Sequence, residues 1–123
     1  MRSHSSRQSP GVVTARVLLA SVFVVMGALR LLGAYQGLPT AGSTLVLSTL
    51  ELLLGIMIAG GWKVRWTAFA AMVLLLADAL LSHKFWSLTG IARDAQLLHF
   101  MKNISMAGGF LLLSLVSGHK SRY

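Results

Sequence analysis

Arg30, Glu51, Asp78 and Lys102 invite a chemical reading because each sits in a different long apolar stretch of this 123-residue chain. A charge inside hydrocarbon is costly and is kept where it meets a partner, a water-filled cavity or a ligand. Two acids and two bases at similar depth predict one compensated polar cluster. Asn103 adjoins Lys102, and His83 follows the third stretch, so the cluster also gains neutral donors and acceptors. In structural terms, Glu51 with Arg30 and Asp78 with Lys102, or the crossed pairs, would hold helices together. Such pairs specify geometry more than they add stability, because desolvation offsets most of the Coulomb attraction. In functional terms, the cluster is a polar site for a small headgroup or a proton. A quinone suits it: the carbonyls want donors such as Lys102, Asn103 or His83, and the ring wants Phe85, Trp86, Phe100 or Met106.

The elements that must position these residues are four apolar runs, at 12–33, 44–61, 66–82 and 97–117. Each approaches the roughly 20 residues needed to cross ~30 Å of hydrocarbon as a helix. Composition agrees, being 55% hydrophobic and 11% charged against about 25% charged in soluble domains. The mean hydropathy is +0.73. The first run reads as a span rather than a cleaved leader, because bulky Leu29–Leu32 offers no small-residue cleavage site. Short connections force neighbours to run in opposite directions, so the expected fold is all-α, an integral membrane antiparallel four-helix bundle. Counting along helices puts Glu51 ~10 Å deep, Asp78 ~6 Å and Lys102 ~7 Å, all from the same membrane face. Residues 1–11 and 118–123 are basic tails flanking the bundle at 12–117.

The placement of basic residues predicts the orientation. Arg2, Arg7, Arg16, Lys63, Arg65, Lys120 and Arg122 lie toward one membrane face, and Arg30, Lys84 and Arg93 toward the other. The positive-inside rule then places both termini in the cytoplasm and the polar cluster in the outer leaflet. The net charge of +8 reflects this topology and contact with anionic membrane lipids, so no nucleic-acid partner is expected. With no cysteine, the chain has no disulfide, thiolate nucleophile or iron–sulfur ligand. His83 and His99 are interfacial histidines without regular ligand spacing, so no metal is assigned, and Trp86 fits an interfacial aromatic belt equally well.

The order of these features resembles the DoxX family of small four-helix bacterial inner-membrane proteins. The matching elements are Gly27-Ala28-Leu29-Arg30 before Gly37-Leu38-Pro39, then Glu51 four residues before Gly55. Next come Gly60-Gly61-Trp62-Lys63-Val64-Arg65, His83-Lys84-Phe85-Trp86, and Phe100-Met101-Lys102-Asn103 before Gly108-Gly109. The resemblance implies association with respiratory or redox complexes, including a subunit of thiosulfate:quinone oxidoreductase. Thiol-linked chemistry cannot be executed by this cysteine-free chain itself.

Together these readings give an integral subunit, accessory to or quinone-contacting within a membrane oxidoreductase complex. Arg30, Glu51, His83, Trp86, Lys102 and Asn103 are its candidate cofactor-binding residues, and no catalytic residue is assigned. The alternatives are a small proton-coupled transporter working as a homodimer, with Glu51 as the proton carrier, and a purely structural subunit of a larger complex.

Overall fold

The computed structural model describes residues 9–120, with side chains through residue 118. Four α-helices make up nearly all of it: α1 (Pro10–Tyr35), α2 (Gly42–Ala59), α3 (Val64–Ser82) and α4 (Gly90–Lys120). A short 3₁₀ turn, Phe85–Ser87, lies between α3 and α4. All four helices are long and apolar enough to cross a membrane. The chain is thus a small all-α integral membrane protein.

Local chemistry sets the helix ends. Ser9 caps α1 by accepting from the Val12 amide at 3.2 Å, and Pro10 takes the first helical position, where a missing N–H costs nothing. The far end of α1 closes in a Schellman motif. The Leu38 amide donates to the Gly33 carbonyl and the Gly37 amide to the Ala34 carbonyl, with Gly37 at φ +97°. The end of α2 repeats the device: Trp62 donates to Met57 and Gly61 to Ile58, with Gly61 at φ +82°. Arg16 of α1 reaches this second end and donates to the Ala59 carbonyl at 3.4 Å. That contact supplies a cation where the helix dipole is negative.

Packing proceeds in pairs. α1 lies extensively against α2 and α3 against α4, while the two hairpins meet more lightly. Phe23 of α1 and Phe110 of α4 join the hairpins with ring centroids 5.3 Å apart. The α3 face that turns inward is almost all small: Ala68, Ala71, Leu75 and Ala79 recur at helical spacing. Outward faces carry Leu18, Leu53, Leu81, Leu112 and Leu115, the surface expected of a protein solvated by lipid.

Gly27 and Gly55 bring α1 and α2 together. A Cβ at Gly55 would lie 2.8 Å from a Val24 methyl and 3.0 Å from the Val24 amide nitrogen, so a backbone would have to move. Gly55→Ala is therefore expected to lower unfolding stability in detergent by about 1–2 kcal/mol. An unchanged midpoint in a denaturant titration would contradict the close packing.

The structure alters two expected boundaries. α4 begins at Gly90 rather than near residue 97, so residues 90–96 are helical and not loop. Its 31 residues span ~46 Å, more than the ~30 Å of hydrocarbon, and leave polar turns standing above it. At the other end α4 continues to Lys120, into the stretch read as a tail. Arg2, Arg7 and Arg122 lie outside the described residues.

Candidate functional site

The end of the bundle that carries the α1–α2 and α3–α4 connections, the loop end, holds the polar residues in two groups. On the α1–α2 side, the Arg30 guanidinium donates to Glu51 Oε1 at 2.7 Å. Glu51 sits on the α2 face with Ser48 and Gly55, the face that α1 covers, and its side chain is 7% exposed. Arg30, nearer the end of α1, stays 39% exposed. One partner is locked inside and the other half-open, so the pair anchors a buried carboxylate from the interface.

On the α3–α4 side, Asp78 takes the donors that adjacent helices bring to it. Asn103 Nδ2 donates to Asp78 Oδ2 at 2.9 Å and approaches the Leu75 carbonyl at 3.4 Å. His83 Nε2 lies 3.4 Å from the same Asp78 oxygen, while its Nδ1 is 2.8 Å from Gln96 Oε1. The His83 and His99 rings stack with centroids 5.2 Å apart.

Beside the histidines lies an aromatic cluster. Phe85 meets Trp86 and Phe100 edge to face at 5.3 Å and 5.2 Å, and Trp86 meets Phe100 at 6.1 Å. The 3₁₀ turn places Phe85 and Trp86 over α4, and Arg93 stands 5.8 Å from the Phe85 ring centre. Trp86 is 55% exposed, so its ring surface stays open at this end of the bundle.

Five of the six candidate residues thus fall into these groups: Arg30 with Glu51, and His83, Trp86 and Asn103 around α3 and α4. Lys102 does not. It is exposed on α4, and among the described residues no acid lies within ion-pair distance of it. Of the alternatives open for Asp78, neither Lys102 nor Arg30 is its partner: Asn103 and His83 are. Consecutive helical residues point about 100° apart, so only one of Lys102 and Asn103 can face α3. Asn103 shares the buried stripe with Ala107, Phe110 and Ser114. Gln96 is a partner that the apolar pattern does not reveal, because it stands just before the run that begins at residue 97. No group of histidines and acids suited to a metal ion occurs among the described residues.

Comparison with known proteins shows two similar chains from Escherichia coli strain K12. Inner membrane protein YphA is 26% identical over 113 residues, covering 85% of this chain and 81% of that protein. Inner membrane protein YqjF is 31% identical over 112 residues, covering 85% of this chain and 82% of that protein. No family model matches the sequence. No solved structure matches it.

Proposed function

The chain belongs to the family of the inner membrane protein YqjF, and from that premise we propose that it is an accessory subunit of a membrane redox complex, contacting a quinone at the loop end of the bundle. The observation that carries this reading is the adjacency of the His83–Asp78–Asn103 network to the aromatic cluster of Phe85, Trp86 and Phe100. A quinone would stack on the ring surface and take one carbonyl bond from His83 Nε2, whose 3.4 Å contact with Asp78 is the longer of the two that ring makes. The DoxX-like motifs support the redox context. Electrons would come from a partner subunit, since nothing in a cysteine-free 13.2 kDa chain of this composition marks a redox group of its own. The carrier alternative needs Glu51 free to exchange protons, whereas its Oε1 is held by Arg30.

Trp86 itself provides the test. With Trp62 and Trp66 changed to Phe, the emission of Trp86 should be quenched saturably by a short-chain quinone analogue. His83→Leu should raise the half-saturating concentration about ten-fold, the worth of one ordinary hydrogen bond. Quenching that rises linearly without saturating would reject the site.

The same reading places both termini in the cytoplasm. Arg16, Lys63 and Arg65 mark the terminal end, where Arg65 stacks 4.8 Å from Trp66 and Lys63 lies 5.3 Å from Trp62, an interfacial pairing of base and ring. Reporter fusions should find Tyr123 inside and the Phe85–Ser87 turn outside. A fusion at Tyr123 that is active outside would invert the assignment.

A further inference from the structure

We propose that Arg30 and the cavity beside it form an oxyanion site for a phosphate group, carried by a membrane lipid. The cavity, of about 440 Å³, lies at the loop end between α1 and α2. Arg30 and Gly33 line it from α1, Leu38 and Thr40 from the connection, and Ala41 and Thr44 from the start of α2. It involves none of His83, Trp86 or Asn103, so it stands apart from the quinone reading.

The donors on this cavity are left over from the fold. Arg30 has five N–H groups in a rigid fork and gives a bond to Glu51 from one nitrogen, leaving the others toward a half-exposed surface. A planar guanidinium fork matches phosphate oxygens bidentately. Thr44 is half-buried and its hydroxyl makes no hydrogen bond among the described residues, so it too can donate. No side chain caps α2, and the backbone amides of its first turn add to the positive side of the cavity. The neutralising Glu51 carboxylate lies behind the guanidinium, buried, where it fixes the fork without filling the opening.

The surface below the cavity distinguishes a lipid from a free anion. Leu18, Val25 and Leu29 recur down α1 at helical spacing and are 66%, 52% and 56% exposed. An acyl chain hanging from a phosphate at Arg30 would follow this rail, and inorganic phosphate would not use it. Arg30 lies five residues before the end of α1, ~7.5 Å below it, within reach of a headgroup phosphate for a snorkelling side chain.

The test uses the full chain in an uncharged maltoside detergent, following the thermal midpoint as each probe is added. Dihexanoyl phosphatidylglycerol should raise it saturably, as expected for a ligand that binds only the folded state. Dioctanoylglycerol, with chains but no phosphate, should need at least ten-fold more for the same shift. Arg30→Lys keeps a cation for Glu51 and loses the fork, and should weaken the phospholipid response about ten-fold. Thr44→Val should weaken it by a smaller factor and provides a second variant if Arg30→Lys folds poorly. Lys102→Gln, outside the cavity, should leave the response unchanged. An undiminished response in Arg30→Lys, or an equal loss in Lys102→Gln, would overturn the site. Inorganic phosphate acting at the same concentrations as the phospholipid would overturn its assignment to a lipid.

Discussion

Replacing Arg30 with Gln should cost the folded protein about 3–5 kcal/mol, because it strands the Glu51 carboxylate in a bundle interior with no cation to meet it. The reverse change should cost less. Glu51→Gln leaves Arg30 without its carboxylate, but the arginine is already 39% exposed and can turn toward the headgroups, whereas the Glu51 side chain is 7% exposed. The loss there should be about 1–3 kcal/mol, the worth of a charge-assisted bond. Changing both residues to Gln should restore most of what Arg30→Gln alone removes, since the orphaned charge disappears. Unfolding titrations of the two single variants and the double variant form a cycle that isolates the pair. Strictly additive losses would show that Arg30 and Glu51 act independently.

The helices and the polar residues were legible from sequence to different degrees, for physical reasons. Four apolar runs of bilayer length leave few alternatives to four spans, and the loop glycines Gly37 and Gly61 mark turns that need positive φ. The start of α4 is hidden because residues 90–96 include Arg93, Asp94 and Gln96, and a hydropathy run carries no signal for a polar helical turn. The partner of Glu51 could be narrowed to Arg30 or Lys102 by depth alone, and only packing decides between them. For Asp78, charge counting offers only Lys102 or Arg30, because it weighs ions and passes over neutral donors. The periodicity of Asn103, Ala107, Phe110 and Ser114 held the better answer, since it defines the face of α4 that turns inward. The Arg30 cavity was not readable at all. It is shaped by the path of the chain from Leu38 to Ala41, which no side-chain pattern encodes.

Asn103→Leu should lower stability by about 2–3 kcal/mol, although leucine is close to asparagine in size and opens no large void. Asn103 is 7% exposed, so its amide is the interior donor for Asp78, and a leucine leaves that carboxylate facing hydrocarbon with His83 as its remaining contact. The neighbouring residue provides the contrast. Lys102→Gln removes a full charge at the same depth, yet it should change stability by no more than about 0.5 kcal/mol, as for an exposed position without partners. Adding Asp78→Asn to Asn103→Leu should recover much of the loss, because a neutral amide is cheaper to bury than a carboxylate with one donor missing. Detergent unfolding curves for these variants separate the two accounts of the cluster. If Lys102→Gln cost as much as Asn103→Leu, lysine would have to be the true partner of Asp78 and the inward face of α4 would be wrongly placed. If Asn103→Leu alone is costly and Asp78→Asn relieves it, the α3–α4 hairpin is joined at the loop end by a neutral amide bridging to an acid. That arrangement leaves Lys102 free to face lipid or another protein.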